Sequence, residues 1–173
     1  MQNNKSKIYR ITFLAVCATV ALVLSYMETL LPPLVASVPG IKLGLPNIVI
    51  VFVLYRFGIR DAAAVSFIRL IAVVLLFGNI MMFAYSLAGA ILSLVCMAVL
   101  KRIDILSMIG VSVAGAVSHN IGQVLVAMAL LETAEIGYYM IALAISGTVS
   151  GIFVGIAGAY LTKKLLTKNI NNC

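Results

Sequence analysis

Apolar residues run along this chain in long blocks, separated by short breaks of polar residues, glycine or proline. Blocks of this length suit helices at the scale of a bilayer, where one crossing takes about 20 mostly apolar residues. Six spans follow: residues 9–31, stopping at Pro32-Pro33; 45–57, which is short; 61–77; 79–100; 106–131; and 138–166. The predicted fold is an all-α integral membrane protein, a six-helix transmembrane bundle forming a single domain. The first block follows MQNNKSKIYR and imitates a secretory leader. Its apolar run from Ile11 to Leu31 is longer than the ~7–15 residues of a leader core, and no small-residue cleavage site follows, so it is expected to stay as a helix.

Small residues recur at four-residue spacing inside the blocks. The sixth carries Gly147, Gly151, Gly155 and Ala159, and the fifth carries Gly110, Ala114, Ser118 and Gly122. Such rows let helix backbones approach closely in lipid, either within the bundle or against another subunit. The first block shows Ala15, Ala18, Thr19 and Ala21, with Ser25 beyond, and is the candidate face for a membrane partner.

Composition sharpens the picture. Hydrophobic residues make up 64% of the 173 and charged residues 10%, against about 45–50% and ~25% in a soluble domain. Such a chain cannot cover a water-facing surface, so its expected solvent is the plasma membrane. The net charge of +7 would suit nucleic acid if it formed a patch, but the cations sit at span ends. Lys5, Lys7 and Arg10 precede the first span, Arg56 and Arg60 the third, Lys101 and Arg102 the fifth, and Lys163, Lys164 and Lys168 follow the sixth. Six crossings put these ten on one side and leave Lys42 with Glu28, Glu132 and Glu135 on the other. The positive-inside rule then makes both termini cytoplasmic and excludes nucleic acid as the partner. Cys17 and Cys96 read as small apolar residues inside spans, and Cys173 ends the chain; no CxxC pair exists.

Few polar residues lie inside the spans, and each needs a partner. Arg69 falls near the middle of the third span, where a charge costs about 2.5–3.5 kcal/mol or more, and it does not deprotonate. It must face the interior, either as a structural pair or as counter-charge to an anionic solute. SHNIGQ in the fifth span places His119 and Gln123 four residues apart on one face, with Asn120 bordering it. These three are candidate binding residues. A metal site is not expected, since His119 is the sole histidine. The connection VPGIKLGLPNIV breaks at Pro39-Gly40 and again at Gly44 and Pro46. Pro46 suits a helix start, which would bring Asn47 and Lys42 to free N–H groups that attract an anion. The segment is either a plain turn or a loop roofing a site. Glu28, nearby, pairs with Lys42 or Arg69 or meets a cationic part of the solute. Tyr26, Phe83 and Tyr85 are either core residues or the lining for an apolar part of the ligand. The expected site therefore comprises Arg69, His119, Asn120, Gln123, Lys42, Asn47 and Glu28, with a solute that is anionic or rich in carbonyls.

Enzyme motifs are missing. There is no GxxxxGK[ST], no HExxH and no paired Asp-rich DDxxD, and the chain has only five acids. No catalysis, no cofactor and no metal chemistry are expected, and any ATP-driven transport needs separate subunits.

PGIKLGLPN after the first helix and SHNIGQ in the fifth, within six short spans, resemble the heptaprenyl diphosphate synthase component I family, also called the Gx transporter family. The resemblance covers nearly the whole chain. That family in turn resembles the substrate-binding S components of energy-coupling-factor (ECF) transporters. This implies a membrane subunit that captures a vitamin-like solute or precursor from outside. It would work with a transmembrane T component and two ATPase subunits. The family label implies an alternative, a membrane accessory subunit of heptaprenyl or polyprenyl diphosphate synthesis. S components often carry an AxxxA motif on the first helix; the nearest matches here are Ala15 with Thr19 and Cys17 with Ala21.

Overall fold

In lipid every backbone N–H and C=O must be satisfied internally, so a chain this apolar has helices as its economical solution. The computed structural model describes residues 2–30, 44–77, 80–132 and 134–170. It contains six α-helices: α1 (Gln2–Leu30), α2 (Asn47–Arg56), α3 (Ile59–Phe77), α4 (Ile80–Ile103), α5 (Met108–Leu131) and α6 (Met140–Ile170). A 3-10 turn at Ala134–Tyr139 leads into α6.

Four helices are long and apolar enough to cross a membrane, within Lys7–Glu28, Phe83–Ile103, Met108–Leu131 and Met140–Lys164. The six expected helices are all present; α2 and α3 are not among the four that length and composition alone qualify as spans. With 10 residues, α2 extends about 15 Å at 1.5 Å per residue, half of a hydrocarbon core of about 30 Å. α3 has 19 residues but carries Arg60, Asp61 and Arg69, which dilute its apolar run.

Turn chemistry sets the boundaries. Gly58, at φ +106°, supplies the left-handed residue that lets α2 stop and α3 start within two residues. Ser107 caps α5 by accepting the Gly110 N–H. Gly44, at φ +83°, opens the approach to α2, where its carbonyl accepts the Asn47 N–H.

The ends of the helices are paired across the bundle. Arg10 near the start of α1 forms an ion pair with Asp61 at the start of α3. Lys101 at the end of α4 donates to the Leu54 carbonyl at the end of α2 and lies over the Tyr55 ring. Thr162 near the end of α6 lies against Met108 at the start of α5. These contacts gather Lys7, Arg10, Arg56, Arg60, Lys101, Arg102, Lys163 and Lys164 toward one end of the bundle.

α5 is the central helix: 44% of its span is buried, against 22–28% for the spans in α1, α4 and α6. It packs on α4 and α6 through glycines. A methyl group on Gly151 would lie 2.6 Å from Cα of Val113, and one on Gly155 would lie 2.7 Å from Cα of Ile109. On the other side, a methyl on Gly122 would meet the Ala88 carbonyl at 2.8 Å. The small-residue row of α6 is thus spent on contact inside the bundle. The main apolar core forms where α2 sits among its neighbours, with Ile50, Val51, Val53 and Leu54 fully covered beside Ala21, Val65, Met97, Val111 and Val154.

Candidate functional site

The polar side chains inside the helices divide into two sets. In the first, Glu28 of α1, Arg69 of α3 and His119 of α5 line one cavity, together with Ser25, Leu70, Val73 and Ser86. Four helices contribute to it. Arg69 is 6% exposed and Glu28 7%, so an arginine and a glutamate side chain both lie inside the bundle. They are within electrostatic reach of each other, which offsets part of the cost of holding either there. The Arg69 Nε has no hydrogen-bond partner among the described residues.

Glu28 also accepts the Leu45 N–H at 2.7 Å. One carboxylate therefore ties the chain entering α2 to the polar cavity. A backbone donor at a helix approach is a good partner for a buried anion, because its charge-assisted bond is stronger than a neutral one. Asn47, one turn further on, is buried beside Gly44, and its side-chain Nδ2 has no partner among the described residues. Lys42 and Pro39 lie outside the described residues.

The second set is turned elsewhere. Asn120 donates to the Leu143 carbonyl of α6 at 2.8 Å, opposite Gly147, where any side chain would strike it. Gln123 is completely covered and packs against Gly89 of α4, with neither end of its amide hydrogen-bonded among the described residues. Neither residue lines the cavity. SHNIGQ therefore presents His119 to the cavity, while Asn120 joins α5 to α6 and Gln123 packs α5 against α4.

Ser25 and Ser86 complete the lining and carry a weak signal in sequence. Serine is common in membrane helices because its hydroxyl can bond its own backbone, as Ser25 does to the Ala21 carbonyl. Tyr85 is buried in a second core cluster with Val124, Ala127 and Leu143, Phe83 is half-buried, and Tyr26 is exposed. The cavity measures about 20 Å³, room for roughly one water molecule.

Arg69 also lines a second, larger recess. It is a groove of about 400 Å³ between α1 and α3, lined by Ala15, Ala18, Thr19, Ala64, Ile68 and Arg69 among others. It exists because alanines face one another across the helix pair where larger side chains would have filled the gap. Of the face expected to meet a partner, Ala15 and Thr19 are exposed, Ala18 borders the groove from the core, and Ala21 is fully buried. Among the described residues, no group of three His, Cys, Asp or Glu side chains could hold a metal ion.

Residues 17–161 match the family described as heptaprenyl diphosphate synthase component I. The chain belongs to that family. No curated protein and no solved structure matches it. The match to component I runs from Cys17 in α1 to Leu161 in α6, so it contains Glu28, Arg69 and His119 as well as the PGIKLGLPN and SHNIGQ segments.

Proposed function

We propose that the protein is the solute-capturing membrane subunit of an uptake transporter, similar to the S components of ECF systems. The observation that carries this reading is the convergence of Glu28, Arg69, His119 and Ser86 from four helices on one internal cavity. Ionisable residues inside membrane spans are costly and mark pathways and binding sites, and transporter sites lie near the midplane at helix junctions. The solute binds without being chemically altered, in a cavity that widens from its present water-sized volume. Its release is driven by a separate transmembrane T component and two ATPase subunits. The gathering of basic side chains at one end supports a plasma-membrane protein with both termini cytoplasmic.

The test is capture and uptake. Protein purified from its own host should carry a small solute detectable by native mass spectrometry, and Arg69→Ala should lose it while still purifying as a folded species. Purification with no solute, together with no association with any T component, would sink the reading. The family description supports a second reading, an accessory subunit of polyprenyl diphosphate synthesis. Chain elongation when the protein alone is given isoprenyl diphosphates and magnesium would favour that one.

A further inference from the structure

Arg69 borders two recesses of opposite character. The first is the polar cavity with Glu28 and His119. The second is the α1–α3 groove, about twentyfold larger and almost wholly apolar. Ile68 of its lining is exposed, as are the apolar Val16 and Phe67 on the same two helices, a surface of the kind that faces lipid. Its volume and composition are those of a small-molecule site: mostly apolar walls of a few hundred Å³ with a small number of placed polar groups. The placed group is Arg69, nine-tenths buried, with its Nε unpartnered among the described residues.

We propose that the ligand is an amphiphile with an acidic head and an apolar chain, its head held at Arg69 and its chain in the α1–α3 groove. This rests on the capture reading above and names the class of solute. The charge argument is direct. Glu28 shares the polar cavity with Arg69 and gives a carboxylate oxygen to the Leu45 N–H, while the Arg69 Nε keeps no hydrogen-bond partner among the described residues. An acidic head supplies the missing acceptor, and a bidentate carboxylate or phosphate fits a guanidinium fork. The alanines along Ala15, Ala18, Ala64 and Ala72 supply the trough that a chain fills and a compact solute does not. Such a molecule can enter sideways from the bilayer, chain first.

The experiment uses the full chain in nanodiscs of a zwitterionic phosphatidylcholine, read by native mass spectrometry and by thermal stabilisation. The probes are dodecyl phosphate and dodecanoate, which have both parts; dodecanol, which has the chain alone; and inorganic phosphate and acetate, which have the head alone. Dodecyl phosphate or dodecanoate should bind about tenfold or more tighter than either partial probe, the size expected from losing a charged hydrogen bond or the chain contacts. Ala15→Trp, which fills the groove without touching Arg69's charge, should abolish that advantage. Arg69→Gln should reduce both two-part probes to the level of dodecanol. Equal binding of dodecanol would make the groove a bilayer contact and overturn the proposal. Equal binding of inorganic phosphate or acetate would overturn it too, while leaving capture of a small anion intact. Indifference to Ala15→Trp, or no binding by any probe, would also defeat it. So would an oligomer that Ala15→Trp dissolves with no probe bound, since the groove would then belong to a second helix. The solute reading would in those cases still stand or fall on its own native mass spectrum.

Discussion

The two halves of the bundle are built by different rules. In α4, α5 and α6, glycines bring backbones into contact, and α5 packs on both neighbours more closely than any other helix pair does. In α1, α2 and α3, alanines line an open groove, and the buried charges Glu28 and Arg69 sit among the helices. Close packing in lipid comes from van der Waals contact and interhelical hydrogen bonds. The half whose backbones touch at glycines leaves little room to move; the half that holds an open groove keeps free volume. On the capture reading proposed above, the difference separates a scaffold from the part expected to receive the solute.

The largest expected effect tests the close-packed half. Gly151→Leu would force a side chain into the Val113 backbone. Overpacking costs about 1–3 kcal/mol and more where backbone must move, so thermal unfolding in detergent should shift down sharply or folded protein should be lost. Ala64→Leu, which points at the groove, should leave the midpoint almost unchanged. Similar losses from both substitutions would erase the distinction between the halves.

A smaller effect tests the charged half. Glu28→Gln removes the negative partner of Arg69 and weakens the bond to the Leu45 N–H. The expected loss is about 1.5–3 kcal/mol, the value of a hydrogen bond to a charged group. Adding Arg69→Gln should recover part of it, because the second substitution removes the stranded cation. A double-mutant cycle on thermal stability reads the coupling, expected at about 0.5–3 kcal/mol. Strict additivity would show that the two residues act independently.

The smallest effect separates the two sets of polar residues. Asn120→Ala loses the bond to the Leu143 carbonyl, and interhelical bonds in membranes average about 0.6 kcal/mol. Its stability should fall slightly and ligand capture should not change. A loss of capture as large as that of Arg69→Ala would return Asn120 to the binding site.

The sequence-to-structure correspondence follows the size of the physical penalties. Six helices were legible because long apolar blocks have no other good conformation in lipid. Arg69 and Glu28 were legible because a charge in a span must turn inward and find company, and they did so around one cavity. The length of α2 was overread, since Leu45 and Pro46 belong to the turn and leave 10 helical residues. The direction of Asn120 toward α6 was not legible, because adjacency in SHNIGQ gives only an angle around α5. Which helix occupies that angle depends on where α6 comes to lie, and Gly147 fixes it. The groove left no local trace, because it arises from two sets of alanines some fifty residues apart.

The shortness of α2 also bears on biosynthesis. A segment of 10 residues is about half of what the insertion machinery accepts as a free-standing span. α2 is therefore expected to insert as the leading arm of a hairpin with α3, turned at Gly58, and to be held by the burial of Leu54 and its neighbours against later helices. A nascent chain halted after α2 should expose Asn47–Arg56 to water-soluble labels, and one extended through α6 should hide it. The interior of this protein is thus expected to close late: the early helix is walled in only when the later ones arrive.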